Sequence, residues 1–349
     1  CQGYYDHDAP YRPEWPGIDR FEGVLVHPQR WPDDLDHSGK KVVVIGSGST
    51  AATVVPAIAD TAEHVTMLQR SPTYYFPPPT THELAVQLTA LKIPDEWTHE
   101  IMRRQYTAQI DELARLAHEA PDALHAFLMS ETVPLLPEGT DVEKHFTPRY
   151  RPWQQRIAFV PDGDLFAAMR AGKASVVTDT IEEFTEKGVR LSSGEVLEAD
   201  IVVTATGFDL AVFGDIPFRV DGEPVDFTDR VTWRGLMITG VPNMVYTFGY
   251  FRHSWTLRVD LVDDFVGRLF AHMRERGATT VVPALRPQDA DMPLLPWVDE
   301  ENFNAGYVMR GRDRMFRRGD REPWTHMQEY AQERESMPAA DLDDGLEYH

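Results

Sequence analysis

The stretch KKVVVIGSGSTAATVVPAIAD, residues 40–60, constrains this chain more than any other. Its opening, KKVVVI at 40–45, is a short continuous apolar run and reads as a strand covered on both faces, as in a parallel sheet. That run leads into the turn GSGSTA at 46–51 and a helical pattern, TAATVVPAIAD at 50–60; a second strand, HVTMLQR, follows at 64–70. This β-α-β order points to a doubly wound α/β architecture. In a GxGxxA turn Gly46 permits the tight bend, Gly48 lets backbone amides approach a pyrophosphate, and Ala51 allows close helix–strand packing. Ser47, Ser49 and Thr50 complete the turn and open the helix, whose N-terminus supplies positive potential for an anion. The alternative is a tight turn with a purely structural role; the strand–turn–helix–strand context favours a dinucleotide site.

The end of the second strand selects the dinucleotide. An acidic side chain there would accept hydrogen bonds from a ribose, and this chain offers Gln69-Arg70-Ser71 instead. Arg70 can pair with a 2′-phosphate and stack on adenine, and Ser71 can add a hydroxyl donor, so NADP is favoured over NAD. The plainer reading of Arg70 is a solvated cation at a strand end.

Around this unit the pattern changes twice. From 81 to 130 it is helical, with Tyr106, Ile110, Leu113 and Ala117 on one face, and the breakers PPPT (77–80) and PLLPEGT (134–140) isolate it as an insertion. That insertion is either a cap that only packs or a lid over substrate, and its Met and aromatic residues read as core. Residues 175–205 alternate strands with hairpin signals at Lys187-Gly188 and 192–194, and IVVTA (201–205) reads as a further buried strand that completes the sheet. Beyond it lie a strand candidate, NMVYTFGY (243–250), and an amphipathic helix near 256–276. The cluster RGRDRMFRRGDR (310–321) reads as a solvated loop, and the acidic last twenty residues read as frayed.

Charge and cysteine content remove whole classes of function. Lys and Arg total 34 against 56 Asp and Glu, a net charge of −22, which disfavours nucleic acid and anionic membrane surfaces. No apolar run is long enough for a transmembrane segment. A single cysteine, Cys1, leaves no internal disulfide and no thiolate cluster for a metal, so a cytoplasmic setting is the natural expectation. An opening Cys also suits a mature lipoprotein, but QGYYDHDAPY is aromatic and turn-like where a flexible polar linker would follow. A chain lacking its natural start is the preferred reading.

One stretch, FEGVLVHPQRWP at 21–32, fits neither strand nor helix periodicity over its full length. His27 alone reads as a satisfied loop histidine and Trp31 alone as packing. Read with the glycine turn downstream, however, Phe21, Gly23, His27, Trp31 and Pro32 match the pattern FxGxxxHxxxW(P/D). With VVVIGSGSTA, HVTMLQRSPTYY, HFTPRYRPWQQRIAFVPDGDLF, ATGFD and GVPNMVYTFGYFRHSWTLRVDLV, it makes the chain resemble type I Baeyer-Villiger monooxygenases up to about residue 330. These are FAD- and NADPH-dependent flavoproteins, and the nearest branch is that of the actinobacterial ethionamide-activating monooxygenases.

The resemblance implies a specific organisation. Residues 1–37 would be the end of an FAD domain and a linker, 38–208 an NADP-binding domain with its helical insertion at about 81–145, 209–330 the C-terminal part of the FAD domain, and 331–349 an acidic tail. The FAD domain would be incomplete, because family members begin with a GxGxxG and about a hundred residues ahead of the position of Cys1; the chain would be N-terminally truncated and inactive alone. The implied reaction uses O2 to place one oxygen atom beside a ketone carbonyl, giving an ester or lactone, with thioethers as possible S-oxygenation substrates. A negatively charged oxygen species then needs a permanent cation, and Arg156 in WQQRIAF matches the family's active-site arginine. Without the resemblance Arg156 would as readily pair with a surface carboxylate. Gln155 stands where some relatives carry a lysine for the 2′-phosphate. His27 would act in domain closure rather than as a base, and Asp209 and Trp255 would bring the chain back to the flavin. Two rival readings are an N- or S-oxygenating flavin monooxygenase and a non-catalytic NADP-binding fragment.

Overall fold

The computed structural model describes residues 3–349. The chain falls into two compact units, one of residues 6–103 and 115–209, the other of residues 1–5, 104–114 and 210–349.

The first of these is built on a five-stranded parallel sheet. Its strands are β1 (Val24–Val26), β2 (Lys41–Ile45), β3 (His64–Gln69), β6 (Ala174–Thr178) and β10 (Ile201–Thr204), in spatial order β1-β10-β2-β3-β6. Helix α1 (Ser49–Ala59) joins β2 to β3. Because side chains alternate across a strand, Val42 and Val44 enter the core on one face with Ala51, Ala52, Val55 and Ile58 of α1. Val43 and Ile45 enter a second core on the opposite face with Phe184, Val189 and Leu191. Both faces are therefore dry, as the continuous apolar run requires. The second core is closed by a three-stranded antiparallel sheet, β7 (Ile181–Thr185), β8 (Gly188–Leu191) and β9 (Val196–Glu198), with turns at the expected hairpin signals.

The sheet order reverses at β2. From β2 the chain proceeds outward through β3 to β6, then returns on the other side with β10. The crevice outside the carboxyl ends of β2 and β10 is thus a topological switch point, where open α/β sheets bind ligands. Between β3 and β6 lie the two-residue strands β4 (Tyr75–Phe76) and β5 (Ala158–Phe159), which pair in parallel, and the helices α2 (Glu83–Ala90), α3 (Asp95–Glu119), α4 (Pro121–Thr132), α5 (Val142–Phe146) and α6 (Asp164–Arg170). The insertion is helical as expected, but its large side chains are not all core: Trp97 is 59% exposed and Tyr106 46%, while Met102 is buried.

The other unit gathers around α7 (Trp255–Arg276), with short antiparallel strand pairs and the helices α8 (Gly306–Gly311) and α9 (Tyr330–Ser336). Arg258, fully buried, forms an ion pair with Glu333 at 2.8 Å and donates to the carbonyls of Arg234, Gly235 and Phe248. Tyr250 donates its hydroxyl to the same carboxylate.

Three expectations fail here. NMVYTFGY forms no strand: Tyr246, Phe248 and Tyr250 all turn inward, as alternation demands, but no neighbouring strand accepts the ladder. The terminal residues are not frayed, since Leu346–Tyr348 pairs antiparallel with Val281–Pro283 and Leu346 is buried. The arginine cluster is not simply a solvated loop, because Met315 and Phe316 enter the core and Arg317–Arg318 pairs with Leu295–Pro296. Among the described residues, no helix is long and apolar enough to cross a membrane, and no three His, Cys, Asp or Glu side chains are placed to hold a metal.

Candidate functional site

The glycine turn lies at the switch point. Gly46 takes φ +135°, and a Cβ there would sit 2.3 Å from the Ala205 carbonyl oxygen at the end of β10, so both conformation and space demand glycine. Its N–H donates to the Leu68 carbonyl at 2.8 Å, tying the turn to β3. Gly48 is different in kind. As the N-cap of α1 it has φ −75°, open to any residue, and a Cβ there would meet nothing within 4 Å. The fold gives no reason for glycine at 48; the missing side chain keeps open the volume over the helix N-terminus. Ser49 is exposed beside it and Thr50 half-buried, while Ala51 is fully buried against the sheet, as close packing requires. Ser47 Oγ lies 3.3 Å from the Ser71 carbonyl and 3.3 Å from Thr73 Oγ1, which brings the turn and the end of β3 together.

At that strand end successive side chains part company. Gln69 is buried, and its Nε2 donates to the His145 carbonyl at 2.7 Å and to Thr178 Oγ1 at 2.9 Å, so the amide is committed to α5 and β6. Arg70 and Ser71 are exposed beyond it. Among the described residues Arg70 has neither a carboxylate nor a carbonyl partner.

Arg156 is half-buried two residues ahead of Ala158, as Thr73 is two residues ahead of Tyr75. Tyr75 and Ala158 are register partners, and the Ala158 N–H donates to the Tyr74 carbonyl at 2.8 Å. The segment carrying Arg156 therefore runs beside the one that leaves Arg70 and Ser71.

The fingerprint residues each acquire a local reason. Phe21 packs edge-on against Phe184 at 6.1 Å in one core, and Trp31 packs against the core on the opposite face. A Cβ at Gly23 would lie 2.4 Å from the Asp200 carbonyl, the oxygen that accepts the Val24 N–H at the start of the β1–β10 ladder. His27 ends β1 and caps the 3-10 turn Pro28–Arg30, its Nδ1 accepting the Gln29 N–H at 3.2 Å. That assigns the proton of the neutral ring to Nε2. Nε2 is buried without an aligned partner, although backbone groups of Gly207 and Tyr11 lie close enough to favour the charged ring. Burial outweighs them and lowers the pKa. Phe208 stands 6.4 Å away, ring to ring, and Asp209 follows half-buried, its carbonyl accepting the Asp6 N–H at 2.9 Å. A cavity of about 510 Å³ borders His27, Arg12 and Trp15; the glycine turn does not line it.

Trp255 belongs to the other compact unit. It is the first residue of α7, and its ring fills the place of a side chain at Gly249, where a Cβ would come 2.1 Å from Trp255 Cγ. Tyr4 and Phe248 flank it with ring centroids at 5.0 and 4.7 Å.

A parallel sheet with a reversal of strand order, a glycine turn at that reversal and an open helix N-terminus define a doubly wound nucleotide-binding fold. Known proteins place it more narrowly. A family model described as flavin-binding monooxygenase-like matches residues 1–78. The FAD-containing monooxygenase EthA of Mycolicibacterium smegmatis is 47% identical over 331 residues, 95% of this chain and 66% of the relative. The protein of that name from Mycobacterium tuberculosis is 44% identical over 350 residues, 100% of this chain and 70% of its own length. The chain belongs to the flavin-binding monooxygenase-like family, and it spans about two thirds of the length of these relatives. Among solved structures, an oxidized steroid monooxygenase bound to NADP superposes with a TM-score of 0.68 at 22% identity, covering 97% of this chain and 73% of that one. A complex of OTEMO with FAD and NADP also reaches a TM-score of 0.68, at 19% identity, covering 100% and 75%.

Proposed function

We propose that this chain is the NADP-binding part, with a portion of the FAD-binding part, of an NADPH- and O2-dependent flavin monooxygenase of Baeyer-Villiger type. Residues 38–208 are taken as the NADP-binding domain and residues 1–37 and 209–330 as flavin-side segments. When bound, the nicotinamide and flavin supply the hydride and the activated oxygen. The chain's own residues bind and orient. N–H groups of the Gly48–Ala51 turn face a pyrophosphate, aided by the helix dipole. Arg70 and Ser71 receive a 2′-phosphate, and the guanidinium of Arg156 stabilises negative charge that develops on oxygen. His27, with Nδ1 spent on the Gln29 amide and Nε2 shielded, caps the turn that follows β1 rather than moving a proton.

The observation that carries this reading is the open volume at Gly48: glycine stands where neither dihedral angle nor packing asks for it, and a ligand that must approach the backbone does. The relatives' printed names, as FAD-containing monooxygenases, support the cofactor. Calorimetric titration tests the binding step: NADP+ should bind more tightly than NAD+, and Arg70→Ala should remove most of that preference, about ten-fold, for one charge-assisted phosphate contact. Equal affinities, unmoved by the substitution, would end the assignment. Oxygenation is tested with NADPH, FAD and paired ketone and thioether substrates, on the chain and on the full reading frame that encodes it. Ester formation from the ketone supports the Baeyer-Villiger type; sulfoxide alone favours an S-oxygenating enzyme.

A further inference from the structure

The geometry points to Tyr75 as the positioning residue of the glycine turn: its buried hydroxyl fixes the Ser47–Gly48 peptide so that the Gly48 N–H faces the dinucleotide pyrophosphate. This rests on the nucleotide reading above and adds a residue to it. Tyr75 is 2% exposed, and its Oη donates to the Ser47 carbonyl at 3.2 Å, with Met67 Sδ 3.8 Å away. Burial raises the phenol's pKa, so it remains a protonated donor at every working pH.

A trans peptide holds its C=O and N–H in one plane, pointing in opposite directions. Pinning the Ser47 oxygen inward to Tyr75 therefore turns the Gly48 N–H outward. A side chain at 48 would likewise meet no protein atom within 4 Å. No internal acceptor takes that N–H among the described residues, while the Gly48 carbonyl is already used by the Ala52 N–H at 3.0 Å. Tyr75 is itself held from both sides. Its backbone lies in the β4–β5 pair opposite Ala158, and its carbonyl accepts the Thr132 hydroxyl at 3.2 Å, a buried contact from the end of α4. Without the phenol the Ser47 carbonyl loses its inward partner, and the Gly48 amide loses the contact that aligns it before any ligand arrives.

Tyr75→Phe removes one oxygen and keeps the ring among Phe146 and Phe166, which lie 6.1 and 5.7 Å away. The test is isothermal titration of the full chain and this variant with NADP+ and with adenosine 2′-phosphate, which lacks the pyrophosphate. The expected result is an NADP+ affinity weakened about five-fold, the effect of one ordinary hydrogen bond, with adenosine 2′-phosphate unchanged. Equal NADP+ affinity in both proteins overturns the proposal, and so does a parallel loss for both ligands, which marks a general structural role. A parent chain that binds neither ligand brings down the nucleotide reading itself.

Discussion

Gly46 and Gly48 sit two residues apart in one turn, yet substituting each by alanine should give opposite results. At Gly46 an added methyl meets two penalties. The φ of +135° lies outside the range L residues adopt without strain, and the Cβ would press to 2.3 Å from a backbone oxygen that cannot swing away. Strain and overpacking together amount to about 2–6 kcal/mol, a large share of a typical domain's 5–15 kcal/mol or so. At Gly48 the balance is close to zero. Alanine restricts the unfolded chain, a gain of about 0.4–1 kcal/mol, and is a poorer N-cap than glycine, a loss of about 1 kcal/mol or less. Its methyl projects into the open volume over α1, so the loss falls on the ligand. Pushing a phosphate back from one amide forfeits about 1.5–3 kcal/mol of charged hydrogen bonding, or ten- to hundred-fold in affinity. Thermal melts followed by circular dichroism, with calorimetric titration of NADP+, separate the two. Should Gly48→Ala bind NADP+ as tightly as the parent, or destabilise the fold as much as Gly46→Ala, the argument from open space is wrong.

Two further outcomes concern the other unit. His326 is half-buried and held neutral, its pKa depressed well below the usual value by desolvation first and then by Arg258 and Arg318. The unfolded chain binds that proton near the ordinary histidine pKa of about 6.5, so stability is complete above that value and falls by about 1.4 kcal/mol per pH unit below it. His326→Gln should flatten urea-unfolding free energies measured between pH 6.5 and 5; an unchanged slope would exclude His326 as the source. Glu333→Gln leaves the Arg258 guanidinium buried without its counter-charge, a cost of about 3–5 kcal/mol. A melting temperature within a degree or two of the parent would show that the pair contributes little.

How much of this was legible in the sequence depended on whether a signal was local. The run Val42–Ile45 declared a doubly covered strand because every residue is apolar, and Gly46 declared its turn because position and residue type coincide. The strand Val24–Val26 did not announce itself: it is three residues long, and its partner lies about 180 positions away. NMVYTFGY shows why alternation misleads. Tyr246, Phe248 and Tyr250 do alternate inward, which the pattern reports truthfully, but alternation says only that the backbone is extended, not that another strand lies alongside. The terminal residues looked solvated because acidic side chains recur among them, yet Met337, Ala340 and Leu346 enter a core and Leu346–Tyr348 pairs with Val281–Pro283. In the candidate site, the glycine turn and the exposed position of Arg70 at the strand end could be read from type and spacing. The hydroxyl of Tyr75 could not, because a contact from a side chain to a backbone oxygen leaves no periodic trace.

The lateness of Ile201–Thr204 in the chain bears on how the protein is made. These four residues slide between Val24–Val26 and Lys41–Ile45, two strands synthesised more than 150 residues earlier. Until they emerge from the ribosome, both neighbours present naked amide edges, the hazard that invites pairing with another nascent chain. Truncated polypeptides ending short of position 201 should therefore precipitate rather than yield a smaller soluble domain, and a chaperone that shields strand edges would matter most during that interval.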